Sequence, residues 1–396
     1  MNASAHAPMP GNRRGLLGIF GSTLFQLTGI FMLSPLLLLL LKKAAVSNTV
    51  GGLFAATTWM GIFIITPFAS TITQALGRRT TMWLASGLPL LAAVGFLATD
   101  TLWVWFVLEL LAGIAGGLRW VLAEAFVAEF APSEHLGRYI GAYATMVGLT
   151  FVIGPALLAW MGADSPAAMA VTIGLLAFGL AWTALIPPLP PAHDQHTARV
   201  GMHGVWQAVL AHPVIMLAGF IGGFFELGLS SILPLYGLTL GLSENAAALL
   251  VALSGLGGTL AALPAGLVAD RFASPTQGRR NMMVLFATLI LLASSATLAV
   301  HQVRHLLWPM VCLWGASGGA LYTLTMIDIG AREKGVTLVN STAVLVLTYT
   351  LGGLIASAIS GALIDLSPRI AFPTALITVA TIGWVALLRT RRIASI

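Results

Sequence analysis

Four side chains that carry charge in water interrupt long apolar stretches of this sequence: Glu109, Arg119, Glu124 and Glu226. A fifth, Asp328, lies near the end of another such stretch. In hydrocarbon a charge at mid-depth costs at least about 2.5–3.5 kcal/mol, so an ionisable residue kept there is a functional candidate by default. Glu226 is the sharpest candidate. A carboxyl in a partly dehydrated cavity can alternate between neutral and charged forms as its access to water switches, which is what proton coupling requires. The alternative for Glu226 is a static ion pair with Arg119. The Arg119 guanidinium suits an anionic substrate through a bidentate contact, or it neutralises Glu109 or Glu124. For Glu124 and Asp328, a structural role at an inner gate stands beside substrate contact.

Other residue types invite chemistry and mostly do not sustain it. Trp120 and Tyr322 each follow a glycine-rich turn and suit stacking on a sugar or ring compound, with ordinary helix packing as the alternative; Gln26 is a polar cavity candidate on the same terms. "GASGG" (315–319) fits the G-x-S-x-G pattern of a hydrolase nucleophile at Ser317. The related segment "GIAGG" (113–117) has Ala115 in that place, and no histidine falls within an apolar stretch to act as base. Small residues that allow close helix packing explain both segments. His301 and His305 have a zinc-compatible spacing without an evident third ligand, and "HPVIM" (212–216) lacks the further Met and His that soft-metal carriage needs. The single cysteine, Cys312, excludes an intramolecular disulfide and a thiolate metal cage. No cofactor is expected.

The elements that position these residues follow from composition. Of 396 residues, 58% are hydrophobic and 8% charged, and mean hydropathy is +0.94. Soluble domains carry about 25% charged residues, so this is a membrane composition. A crossing helix needs about 20 apolar residues. Twelve stretches qualify: 15–41, 50–73, 80–99, 102–128, 138–161, 166–186, 213–240, 245–268, 282–300, 306–328, 336–363 and 370–388. The first is too long for a signal-peptide core and has no cleavage-like exit. The sequence therefore predicts an N-terminal tail (1–14), a six-helix half (15–186), a proline-rich linker (187–212), a second six-helix half (213–388) and a C-terminal tail (389–396).

Arginine and lysine set the orientation. With the N-terminus inside, fourteen of them fall on cytoplasmic segments, against Lys42, Lys43, Arg304 and Arg369 outside. Both termini are thus expected in the cytoplasm, and the net charge of +6 reflects topology rather than nucleic-acid binding. The halves repeat. "GIFG" (18–21) matches "GFIG" (219–222), "GRR" (77–79) matches "GRR" (278–280), and "GIAGGLRW" (113–120) matches "GASGGALY" (315–322). A parallel repeat of this kind places a binding site between the halves near the midplane.

Around the second "GRR", the residues Gly266, Asp270, Arg271, Gly278, Arg279 and Arg280 resemble the loop motif of the major facilitator superfamily, G-x-x-x-D-[RK]-x-G-[RK]-[RK], with extra residues before the second glycine. In the first half only Gly77, Arg78 and Arg79 match; Ser70, Gln74 and Ala75 replace the glycine, the acid and the first base. The segments 119–132, 223–243, 263–272 and 315–330 resemble the YcaD-type branch more narrowly. Drug antiporters of the superfamily often carry R-x-x-x-G in the fourth helix. Here Glu109 precedes Gly113 in that frame, and of their fifth-helix motif only Gly154–Pro155 remains.

The resemblance implies an all-α fold of twelve transmembrane helices, with helices 1, 4, 7 and 10 lining a central cavity and the loop residues steadying an inner gate. It implies a secondary transporter of the cytoplasmic membrane, not an enzyme, with a small-molecule substrate, protons and the lipid bilayer as partners. Such a chain is expected to work as a monomer. Export of amphipathic compounds competes with uptake of a polar metabolite, and a non-transporting receptor or intramembrane enzyme is the rival of a different class.

Overall fold

In a computed structural model, residues 12–187, 213–269, 271–272, 274–333 and 335–393 are described. The outer tails, residues 188–212 of the expected linker and Asp270 lie outside the described residues. Among the described residues, twelve helices are long and apolar enough to cross a membrane: α1 (Arg13–Lys43), α2 (Asn48–Leu76), α3 (Arg78–Ala98), α4 (Leu102–Phe130), α5 (Arg138–Met161), α6 (Pro166–Thr183), α7 (Met216–Thr239), α8 (Glu244–Ala269), α9 (Thr276–Ala299), α10 (Arg304–Arg332), α11 (Asn340–Leu366) and α12 (Ala371–Arg389). In hydrocarbon every backbone polar group must bond within the chain, so apolar runs of this length become helices whatever their intrinsic propensities.

Local chemistry marks the boundaries. Asn12, Ser47, Ser165 and Ser274 accept hydrogen bonds from backbone amides at the starts of α1, α2, α6 and the ninth helix. Gly77, at φ +83°, breaks the chain between α2 and α3 where other residues would be strained. The glycine-rich segments before Trp120 and Tyr322 lie inside α4 and α10 as helix, not as turns.

The packing repeats as the sequence does. In the first half α1 packs on α5 and α6, α2 on α4, and α3 on α4 and α6; in the second half α7 packs on α11 and α12, α8 on α10, and α9 on α10 and α12. The halves meet where α2 crosses α11 and α5 crosses α8. Two faces can be distinguished: a terminal face, where α1 begins and α12 ends, and the distal face opposite. α1 packs against the distal segment of α7 (Leu229–Thr239) but forms no packed interface with its first segment, Pro213–Gly223, among the described residues. Nor do α4 and α10 share one. The bundle is closed distally and parts between the halves towards the terminal face.

Distal closure has specific contacts. The Asp365 carboxylate at the end of α11 accepts from the backbone amides of Asn48 (3.2 Å) and Thr49 (2.6 Å). It also accepts from their side chains, each at 2.7 Å. An acid from one half therefore caps a helix of the other. Lys43 bridges Asp164 and, across the halves at 2.9 Å, Glu244. Deeper in, Trp59 Nε1 on α2 donates to Ser231 Oγ on α7 at 3.1 Å.

Candidate substrate and proton site

Glu226 lies at the middle of α7, on a π-helical turn spanning Phe224–Gly228. Such turns interrupt the regular ladder, are costly in isolation and occur frequently at functional sites. Nothing in "GGFFELGL" announces one. The Glu226 carboxylate accepts from the Tyr349 phenol of α11. It nests against glycines of two neighbouring helices: a Cβ on Gly258 of α8 or Gly319 of α10 would stand 2.7 or 3.1 Å from Oε1. These glycines make the room that the carboxyl occupies. Tyr349 in turn packs against Tyr322 of α10, the rings tilted at 50° with centroids 4.7 Å apart.

On the opposite side of the gap, Glu124 is exposed and accepts from Trp120 Nε1 at 2.9 Å, one turn back along α4. Two carboxyls, one from each half, thus stand beside aromatic side chains: Glu124 beside Trp120, and Glu226 beside Tyr349, whose ring neighbours Tyr322. Trp120 and Glu124 from the first half, and Glu226, Tyr322 and Tyr349 from the second, make up the candidate site.

Other expected site residues lie elsewhere. Arg119 is 2% exposed and turns into the first half. It donates to Ser86 Oγ (2.6 Å), Ser22 Oγ (2.9 Å) and Thr23 Oγ1 (3.2 Å). It makes no ion pair with Glu226, Glu109 or Glu124; hydroxyls take the place that carboxylates were expected to fill. Thr183 joins Ser22 and Ser86 at 2.9 and 3.2 Å, so the guanidinium ties α1, α3, α4 and α6 into one body. Gln26, fully buried, donates to the carbonyls of Ser86 (3.1 Å) and Leu176 (2.8 Å). Glu109 is buried where α4 meets α2 and accepts from Thr58.

A sequence profile described as Major Facilitator Superfamily matches residues 19–334. The chain belongs to that superfamily. Among its relatives, the uncharacterized transporter YfkF of Bacillus subtilis (strain 168) is 24% identical, over 64% of this chain and 64% of its own length. YcaD of Escherichia coli O6:K15:H31 is 23% identical, over 95% of this chain and 94% of its own. Among solved structures, the nucleoside transporter NupG superposes with a TM-score of 0.71 at 13% identity, over 96% of this chain and 98% of that one. A D-xylose-proton symporter superposes with a TM-score of 0.73 at 15% identity, over 94% and 95%. These identities speak to the fold, which is the twelve-helix, two-half architecture expected from the sequence.

The superfamily's loop motif has a geometric counterpart in each half. In the second, Arg279 Nε donates to Asp328 Oδ1 on α10 at 3.1 Å, and Arg332 donates to the same oxygen at 3.0 Å. In the first, Arg78 pairs with Glu129 on α4 and stands 5.0 Å over the Phe126 ring. Gln74 replaces the motif's acid, yet a loop arginine still grips the fourth helix of its half through Glu129. Gly278 is buried, and a Cβ there would lie 2.9 Å from the Phe272 ring. Gly266 faces Ile327 in the same way at 3.0 Å. Arg271 is exposed, and Arg79 and Arg280 lie beside the pairing arginines in sequence. Tyr349, Glu129, Asp365 and Trp59 went unremarked as sequence; each is a lone polar or amphipathic group in or beside an apolar helix, and that was the available signal.

Proposed function

We propose that this protein is a secondary transporter of the cytoplasmic membrane that moves a small solute by alternating access, coupled to protons through Glu226. The observation that carries the coupling is the setting of that carboxyl: mid-span, on a π-helical turn, bonded to a phenol and without a basic neighbour among the described residues. The groups facing it are Tyr349 from α11, with Tyr322 of α10 beside that ring, and the glycines Gly258 of α8 and Gly319 of α10. A neutral carboxyl is tolerated there when the gap is closed to water, and a charged one when water or a cationic partner is present. Proton occupancy is thereby tied to access.

The excess of Lys and Arg on the terminal segments supports a cytoplasmic terminal face; on this reading the arrangement is inward-open, with the Asp365 cap and the Lys43 bridge closing the outside. That a proton symporter shares this architecture supports the same division of labour here. Both halves come from one chain, so a monomer suffices to form the site.

The test is a pH jump applied to reconstituted protein on a solid-supported membrane. The wild type is expected to give a transient charge displacement, and Glu226→Gln, folded to the same melting temperature, to give at least tenfold less. Equal displacement in both proteins moves the coupling site away from Glu226.

A further inference from the structure

We infer that the gap takes organic monocations, such as amines or onium groups carried on an aromatic or apolar body. This rests on the transporter reading above and specifies the solute for the same cluster. Arg119 is the one basic residue in the described helices more than two turns from a helix end, and it is withdrawn. On a helical wheel Trp120 and Glu124 share a face, whereas Arg119 lies about 140° from Glu124, and its hydrogen bonds all run to α1 and α3.

What meets the gap is therefore acidic and aromatic. Glu124 is exposed and Glu226 partly so, from opposite halves, with Trp120 and Tyr322 also partly exposed. A cation between two carboxyls and over ring faces gains from both kinds of group. An anion would meet two negative charges, with the guanidinium that could offset them walled off. A polyhydroxyl solute needs several convergent amides or hydroxyls, and Gln26, the amide candidate, is committed to two buried carbonyls. The geometry selects charge and aromatic surface, not hydrogen-bond pattern.

Three probes of similar shape separate the possibilities: tetraphenylphosphonium, uncharged triphenylphosphine oxide and anionic tetraphenylborate. Each is titrated into purified full-length protein, with tryptophan quenching and thermal unfolding as readouts. The phosphonium is expected to bind saturably and at least tenfold more tightly than the other two. Glu124→Gln should weaken it at least tenfold with an unchanged melting temperature, and Trp120→Ala, which keeps the carboxyl, should weaken it less. Equal binding of all three probes, preference for the oxide or the borate, or undiminished phosphonium binding by Glu124→Gln overturns the inference. The pH-jump signal separates the two readings. If it stays Glu226-dependent while the phosphonium fails to bind, the solute class is wrong and the coupling stands. If the phosphonium binds through Glu124 while Glu226→Gln retains full displacement, the coupling site is wrong and the solute class stands.

Discussion

At the scale of the residue, the Glu226 carboxyl is held by absences of side chain around it. Of the two glycines against Oε1, Gly258 is the tighter: the added methyl of alanine would overlap Oε1 at 2.7 Å. Gly258→Ala should turn the carboxyl off Tyr349, cost about 1–3 kcal/mol of stability as overpacking does, and abolish most of the pH-jump displacement. Gly87→Ala on α3 is the matched control, because nothing lies within 4 Å of its Cβ position. It should be neutral or stabilise by up to about 1 kcal/mol, the helix preference for alanine. Thermal unfolding and charge displacement measured on both variants check the contrast. Glu226 itself was legible in the sequence because a lone acid inside an apolar run has few tolerated explanations. Its partner was not, since a tyrosine in "VLTYTLGG" is as compatible with packing as with donation, and a π-helical turn leaves no compositional trace. Arg119 was legible as unusual but misleading in role. A wheel gives its direction relative to Glu124, yet not which neighbouring helices supply the hydroxyls.

At the scale of the element, two devices hold the distal face, and their magnitudes differ. Lys43, Asp164 and Glu244 are solvent-accessible, with side chains 32%, 83% and 29% exposed. Exposed pairs of this kind contribute about 0–1 kcal/mol. The Asp365 cap satisfies two amides at the start of α2 as well as two side chains, and capping losses run to about 0.5–2 kcal/mol. Asp365→Ala should therefore shift the access equilibrium towards the outward-open form by about 2- to 30-fold, and Lys43→Ala by less. The shift is read as faster labelling of a cysteine placed at Ser357, buried on α11, by a membrane-impermeant maleimide added outside. Equal labelling in the wild type and Asp365→Ala would show that the cap does not hold this face. The helices themselves were legible as to number and place, because length and apolarity leave one structure that satisfies the backbone in lipid, but their ends differ by up to six residues, as at 282 against Thr276. Contacts between their ends were not legible, because short polar residues at span boundaries look alike whether they meet water or one another.

At the scale of the molecule, each half behaves as one packed body. In the first, Arg119 and the hydroxyls of Ser22, Thr23, Ser86 and Thr183 lock four helices together; in each half a loop arginine grips the fourth helix, through Glu129 or Asp328. Arg119→Ala removes several charge-assisted hydrogen bonds from a buried site and should destabilise by at least about 2 kcal/mol. Phosphonium affinity of the protein that remains folded should stay within about twofold, since the guanidinium does not meet the gap. A large loss of affinity with little loss of stability would reverse that assignment. The duplicated architecture was legible from three short matches about 200 residues apart, whereas the asymmetry between halves was not. Phe25 aligns with Glu226 in the repeat, so only the second half carries a mid-span acid at that place.

The cap on α2 also bears on genetics. Two of the four donors to Asp365 are main-chain amides, which nearly every substitution at positions 48 and 49 preserves. A selection for variants whose outer face opens too readily should accordingly recover changes at codon 365 far more often than single changes at codon 48 or 49. Among the latter it should favour proline, the one residue that deletes the amide itself.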